Sequence, residues 1–515
     1  MLTEFRNEPF TDFTRPENRA LMQAAIDKVR SQLGQRYPIV INGEKIYRDE
    51  TFKSINPGNS SEVVGEFTKG TKQDALDAIS AADLAFQEWR KVAPYERARY
   101  LLKAAAIMRA RKYELAAWMV FEVSKSWPEA DGDIAEAIDF LEFYAREMMR
   151  LGDPQPIVPY AGEENNLYYE PLGVCAVIPP WNFPGAIMAG MTSAAIVSGN
   201  CVVMKPASTA PAIAYKFYEI MEEVSLPKGV LNFLPGPGGA IGDTIVDHPK
   251  TRLIAFTGSK EIGLRIQERA AKVNPGQIWI KRTILEMGGK DFIMVDETAD
   301  IEAAATAIVV AAFGFQGQKC SAGSRAIIHS AVYDQLVEKV IAKTKALTLG
   351  DPSNPANQIG AVIDESAFNN IMRYIEIGSK EGRIVAGGKR GPKQGYYIEP
   401  TVIADVPWDA VVAQEEIFGP VLSIIKCKDF EDGIRIANST EFGLTGAIFS
   451  KERRRLEIAR CELHCGNLYL NRKCTGALVG VQPFGGFNMS GTDSKAGGRD
   501  YLLLFTQAKS VCERF

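Results

Sequence analysis

The sequence predicts an α/β protein with two doubly wound parallel-sheet domains and β-strand extensions outside both sheets. Three observations carry this. The chain has 515 residues, more than one hydrophobic core usually holds, so at least two globular units are expected. From about Leu172, short apolar runs alternate with helical segments, as in a parallel sheet covered on both faces. A second alternation of the same kind begins near Thr283 and runs to about residue 480.

Taken in order, residues 1–37 are polar, helical in part, and read as an arm. Pro38 to Ile41 is a short β run, and Asn42-Gly43 is the dipeptide of a type I′ hairpin leading into Glu44 to Tyr47. Helical periodicity covers 72–90, 95–122 and 130–150. Strands are then predicted at 174–178, 201–204, 231–234 and 253–256, with helices at 185–198, 211–225, 239–248 and 260–271. The second unit has strands at 283–286, 291–295 and 325–329 and helices at 300–315 and 331–346. This gives a first domain of 38–156 plus 172–282 and a second of 283–480. Segments 157–171 and 490–515 are strand-rich extensions.

Composition narrows the function. A net charge of −4 and a pI near 5.8 offer no electrostatic footprint for nucleic acid or an anionic membrane. The start of the chain lacks an apolar signal core, and the longest apolar stretch, Ala303 to Phe315, is too short to span a bilayer, so a cytoplasmic chain is expected. Eight cysteines are too sparse for a disulfide framework. Cys461, His464, Cys465 and Cys474 have poor spacing for zinc, and no metal is expected. None of the three histidines, 248, 329 and 464, lies in a segment suited to a Ser-His or Cys-His mechanism.

Ligands of doubly wound sheets bind at the carboxyl ends of the strands, so residues there carry most weight. They include Pro180-Trp181-Asn182-Phe183, Lys205-Pro206, Pro235-Gly236 and Thr257-Gly258-Ser259. Cys320, in Gly317-Gln318-Lys319-Cys320-Ser321, follows a helix and precedes a strand, and Lys319 adds positive potential beside the thiol. The alternative is a buried inert cysteine. Glu286 ends an apolar strand before Met287-Gly288-Gly289-Lys290. Burial there suits a general base, against a plain ion pair with Lys290. Asn182 can donate to a developing oxyanion or simply bond its own turn. Gly236-Pro237-Gly238-Gly239-Ala240-Ile241-Gly242 does not fit G-x-G-x-x-G, and no P-loop is present.

In order, these segments resemble the aldehyde dehydrogenase superfamily. The resemblance rests on Pro179 to Pro184, Lys205-Pro206-Ala207, Phe256 to Ser259, Leu285 to Lys290, Gly317 to Cys320 and Glu416-Ile417-Phe418-Gly419-Pro420, and covers residue 38 to the end. It implies an aldehyde dehydrogenase-like fold with Cys320 as nucleophile, Glu286 as water-activating base and Asn182 as oxyanion donor. It implies NAD as cofactor, contacted by Ile178, Pro180, Trp181, Lys205, Gly238, Gly242, Thr257, Gly258, Ser259, Gly288, Glu416 and Phe418. Many members carry a glutamate three residues after the lysine. Here Ser208 stands there, so NADP is expected to be accepted besides NAD. Residues 157–171 and 490–515 resemble the family's oligomerisation flaps, implying a homodimer or an assembly of dimers.

Glu136 to Phe140, Thr475-Gly476-Ala477 and Gln482 to Gly486 are similar to the 1-pyrroline-5-carboxylate branch, which oxidises L-glutamate γ-semialdehyde to glutamate in proline and arginine breakdown. This implies that Ser321 and the backbone N–H groups of Gly476 and Ala477 bind the substrate carboxylate, with Lys319 a further contributor. Glu136 would bind the ammonium, and Phe183 and Phe484 would flank the substrate. The rival within the family is a hydrolytic dehydrogenase of another small aldehyde. A CoA-acylating relative needs no water-activating base, and a non-catalytic homologue would not keep both Cys320 and Glu286.

Overall fold

The computed structural model describes residues 3–515, apart from the Ala240 side chain; the first two residues of the arm lie outside it. Two seven-stranded sheets organise the chain. In spatial order the first is Arg282–Glu286, Thr251–Thr257, Val174–Ile178, Cys201–Met204, Leu231–Phe233, Ile39–Ile41 and Glu44–Ile46. Its first five strands are parallel, and the antiparallel hairpin 39–46 closes one edge. Asn42 and Gly43 both have positive φ, 52° and 74°, as a type I′ turn requires.

The second sheet runs Arg383–Ala386, Thr401–Ala404, Val421–Cys427, Arg325–His329, Phe292–Val295, Thr445–Phe449 and Asn467–Leu470, all parallel except the first. The strand Arg282–Glu286, expected to open the second domain, instead pairs with Thr251–Thr257 and closes the first sheet. Its mixed burial is that of an edge strand, which sequence cannot assign to one sheet or the other. Glu286 therefore ends the first sheet where the chain crosses to the second.

Helices cover both sheets by apolar faces of ordinary spacing. Lys72–Trp89 buries Ala75, Ala78, Ile79, Ala82, Phe86 and Trp89, a set at i, i+3 and i+4 steps. Its N-terminus carries a capping box between Thr71 and Asp74, a device worth about 1 kcal/mol. The helical stretch expected at 95–122 is two helices, Pro94–Ala110 and Lys112–Val123, broken at Arg111. The third, Trp127–Leu151, packs on Pro94–Ala110 and on Ala186–Val197. The arm forms helix Pro16–Arg30 and is tied down through Asn7 and the Glu8 N–H on Asp139, and Thr11 on Asp131.

A three-stranded sheet of Gln35–Tyr37, Val63–Thr68 and Thr51–Ile55 was not foreseen; its polar strand faces weaken the apolar signal. Strand Glu163–Pro171 pairs antiparallel with Thr506–Arg514 as a separate ribbon. The 490–505 part of the expected flap is not strand but a loop and short 3-10 turn folded back on the first sheet. No helix among the described residues is long and apolar enough to cross a membrane.

Candidate active site

In the first sheet the chain runs outward from the central strand Val174–Ile178 to Leu231–Phe233, then returns to Thr251–Thr257 on the other side. This reversal opens a crevice at the carboxyl ends of the two strands. A cavity of about 640 Å³ occupies it. Of the predicted cofactor residues, Ile178, Pro180, Trp181, Lys205, Gly238, Gly242, Thr257, Gly258, Ser259, Gly288, Glu416 and Phe418 line this cavity, together with Asn182 and Cys320.

Ser208 does not. Its hydroxyl donates to the Gly236 carbonyl at 3.1 Å, a local bond that the sequence does not reveal. Asp243, Arg265 and Arg269 also line the cavity and were missed, because ion pairs on a helix face look like solvated surface.

The lining fits a dinucleotide. Helix Gly238–Asp247 presents its N-terminus, where unpaired N–H groups favour an anion. No atom lies within 4 Å of where a Cβ would stand on Gly238, Gly239 or Gly242, leaving room for a ligand to approach the backbone. Among the described residues the buried Lys205 ammonium donates only to the carbonyl of Pro206, at 3.1 Å, and burial lowers its pKa to about 8. Glu416 accepts from the Gly289 N–H at 2.9 Å, and burial raises its pKa to about 7. A Cβ on Gly288 would stand 2.1 Å from its carboxylate, so any side chain there displaces Glu416. The Trp181 ring meets Phe418 edge-on at 5.5 Å and Phe315 at 6.5 Å.

Cys320 sits at the inner end of the cavity. Helix Ile301–Phe313 stops short of the expected 315 because Phe315, Gln316 and Gly317 adopt left-handed φ of 49°, 55° and 66°. Such a conformation costs a non-glycine residue roughly 1–2 kcal/mol. The Gln316 amide offsets this by donating to the carbonyls of Ser124 (3.0 Å) and Ala361 (2.9 Å). A side chain on Gly317 would strike the Gly419 carbonyl at 2.2 Å. The loop is thereby bent so that Cys320 faces the dinucleotide crevice rather than the core.

Asn182 Nδ2 donates to the Gln318 carbonyl at 2.9 Å, which uses one of its two hydrogens and leaves the other available. No backbone carbonyl among the described residues takes the Cys320 N–H. Burial, then the charges of Asp291, Glu286 and Glu416, raise the pKa of the thiol, so the resting sulfur is protonated. The Lys319 ammonium is not left free beside the thiol, because both Glu129 oxygens hold it, at 2.7 and 2.8 Å.

Glu286 does not pair with Lys290, whose ammonium is buried without a hydrogen-bond partner and lies in the field of Glu416. Glu286 accepts instead from the Ser494 hydroxyl (2.6 Å), the Ser494 N–H (3.2 Å) and the Gly486 N–H (3.3 Å). Burial outweighs these bonds and raises its pKa to about 7. It does not line the cavity in this arrangement, but its charge reaches the Cys320 sulfur. Ser494 was missed by sequence reading. It lies 208 residues from its partner, and no local pattern marks it.

The predicted substrate residues stand apart from the cavity. Phe183 packs under the Lys125 ammonium at 3.9 Å and meets Phe315 edge-on. Lys125 is fully buried with Asp133 at 2.6 Å. Glu136, half-buried one helical turn on, forms no hydrogen bond among the described residues, and burial followed by Asp133 raises its pKa to about 8. The Ser321 carbonyl meets the Cys474 thiol at 3.5 Å, bringing Gly476, with φ 78°, and Ala477 towards the nucleophile loop. Phe484 pairs its backbone with Ala496, two residues before the Gly486 donor to Glu286. Cys461 is exposed on helix Arg453–Glu462 while Cys465 and Cys474 are buried, so the three do not share an environment.

The sequence profile of the Aldehyde dehydrogenase family matches residues 46–511. The chain belongs to the aldehyde dehydrogenase family. Over all 515 residues, and covering both chains fully, this aldehyde dehydrogenase is 57% identical to a 1-pyrroline-5-carboxylate dehydrogenase of Geobacillus sp. (strain WCH70) and 55% identical to that of Bacillus subtilis (strain 168). Its fold superposes on 1-pyrroline-5-carboxylate dehydrogenase from Thermus with bound NAD at a TM-score of 0.98, with 50% identity and full coverage of both chains.

Proposed function

We propose that this aldehyde dehydrogenase oxidises L-glutamate γ-semialdehyde, the open form of 1-pyrroline-5-carboxylate, to L-glutamate, with NAD preferred and NADP accepted, in proline and arginine degradation. The observation that carries the reading is that Cys320 lines a dinucleotide-shaped crevice and follows Lys319, whose charge acts on Glu136 and Lys473. That cluster of charged side chains suits an amino acid side of a substrate.

In this reading the Cys320 thiol gives up its proton to solvent before attack, and Glu286, titrating near neutrality, is kept for the hydrolytic step. The sulfur adds to the carbonyl carbon; the C=O π bond becomes an oxyanion, held by the free Asn182 amide hydrogen and the Cys320 N–H. A bound dinucleotide supplies the acceptor for the hydride that leaves this carbon as the oxyanion collapses to a thioester. Glu286 then takes a proton from water, the hydroxide adds to the thioester, and the C–S bond breaks to return Cys320 as thiolate. Rotation of Glu286 off Ser494 is required to bring it to that water. In the same reading Lys205 and Glu416, which both line the crevice, hold the two ribose ends of the dinucleotide. The flap strands and an unpaired apolar surface at Val158, Ile278 and Ile280 support a homodimer or an assembly of dimers.

The test is spectrophotometric. NAD reduction is followed with 1-pyrroline-5-carboxylate and with propanal. The reading expects kcat/KM to be far higher for the first. Equal or higher values with propanal would overturn it.

A further inference from the structure

The charged cluster beside Cys320 contains more cations than the sequence reading assigned to it, and two of them are already paired with carboxylates. Lys125 is paired with Asp133, and Lys319 is clasped by both oxygens of Glu129. Neither offers a free charge to a ligand. Arg472 turns a guanidinium N–H onto the Gly476 carbonyl and stacks over Tyr469. Lys473 has no ion-pair or hydrogen-bond partner among the described residues, although it is half-buried.

The position of Lys473 is defined by the turn that follows it. A Cβ placed on Gly476 would stand 3.9 Å from the Lys473 ammonium nitrogen and 3.7 Å from its Cε, with Arg472 Nη2, which already donates to the Gly476 carbonyl, also at 3.7 Å. The intervening Cys474 is docked on the Ser321 carbonyl, which fixes this segment against the residue next to the nucleophile. Gly476 has a left-handed φ, leaving its open side free for close approach. The geometry points to Lys473 as a specificity-determining residue: its unpaired ammonium at the Gly476 turn supplies the cationic contact for the carboxylate of the substrate, a role that Lys319 cannot fill while Glu129 holds it. This inference rests on the proposed function and extends it.

The electrostatics agree. Burial first, then the charge of Lys319, holds the Lys473 pKa below the ordinary lysine value, while Glu129 acts the other way. A carboxylate arriving at the turn relieves that unfavourable charge. The half-buried Glu136 carboxyl, also without a partner, is the opposite pole. Lys473 and the Glu136 carboxyl, neither with an ion-pair partner among the described residues, match the two opposite charges of an amino acid.

The experiment compares wild type, Lys473→Gln and Lys473→Arg with 1-pyrroline-5-carboxylate, with propanal, and with L-glutamate as product inhibitor. A hydrogen bond to a charged group is worth about 1.5–3 kcal/mol, so Lys473→Gln should lower the ratio of kcat/KM for the semialdehyde to that for propanal by about 10- to 100-fold. The loss should lie in KM, L-glutamate inhibition should weaken by a similar factor, and Lys473→Arg should recover most of both. Lys473→Met, which keeps the apolar stem, replaces the glutamine variant if that one does not fold. If the wild type prefers the semialdehyde and the neutral variant keeps the same ratio and the same L-glutamate inhibition, Lys473 has no such role. A wild type without that preference overturns the proposed function itself.

Discussion

The Ser494 hydroxyl donates to Glu286 Oε1 at 2.6 Å, joining the last residue of the first sheet to a loop near the C-terminus. The loop is fastened along the strand end by the Met287 N–H on Ser490 and by exchange between Thr492 and Leu285. Two opposing effects meet on this carboxyl. Burial raises its pKa and the Ser494 and Gly486 donors lower it, leaving it near 7. Ser494→Ala removes the strongest of those donors. Glu286 must be ionised to act as base, so activity falls as pH drops through its pKa. Loss of a donor raises that pKa, and the acid limb of kcat should move up by about one to two pH units, from the ~1.5–3 kcal/mol of a charged hydrogen bond. A pH–rate profile that does not move would show that Glu286 is not the group titrating.

Glu286→Gln should accumulate a thioester on Cys320. General-base assistance is worth roughly 10²–10⁴-fold, and that loss should fall on the hydrolytic step alone. A burst of NADH approaching one per site, followed by slow turnover, is the expected trace. The same substitution bears on stability. A carboxyl whose folded pKa is raised favours the folded state when protonated, and this contribution disappears as pH rises through about 7. Relative to wild type, the glutamine variant should therefore gain more in Tm at pH 8 than at pH 5.

Gly288→Ala places a methyl 2.1 Å from the Glu416 carboxylate, which must move and give up the Gly289 N–H. With one charge-assisted bond lost, kcat/KM for NAD should fall by about 10- to 100-fold. Titration of NAD by tryptophan fluorescence would separate weaker binding from slower chemistry.

Ser208 leaves the crevice without a carboxylate at its position, and the lining carboxylate of Asp243 is matched by Arg265. We expect NADP to be used, with a preference for NAD below about a thousandfold, ~4 kcal/mol. Ser208→Glu should widen that preference by at least about tenfold, since two like charges near a protein surface repel by ~1–4 kcal/mol at contact range. Steady-state kcat/KM with both cofactors checks both statements.

Cys320, Asn182, the Thr257-Gly258-Ser259 turn and Glu416-Ile417-Phe418 were legible because each sits in a short contiguous motif at the end of a strand or in a tight loop. The sequence was equally clear about alternating strands and helices, since burial on both faces leaves unbroken apolar runs such as Val174 to Val177. It was less clear at Arg282–Glu286, an edge strand with mixed burial, and at Phe315–Gln316, where non-glycine residues take a conformation that their side chains do not favour.

Local order along the chain thus determined the family, the candidate nucleophile and the architecture, because these follow from short-range pattern and periodicity. Only tertiary structure decided which charges are free. Lys319 is spent on Glu129, Glu286 is tethered to Ser494, and Lys473 is left without a counter-ion. An ion pair or a hydrogen bond depends on distance in space, and the partners that set these electrostatics lie 190 and 208 residues apart in the chain.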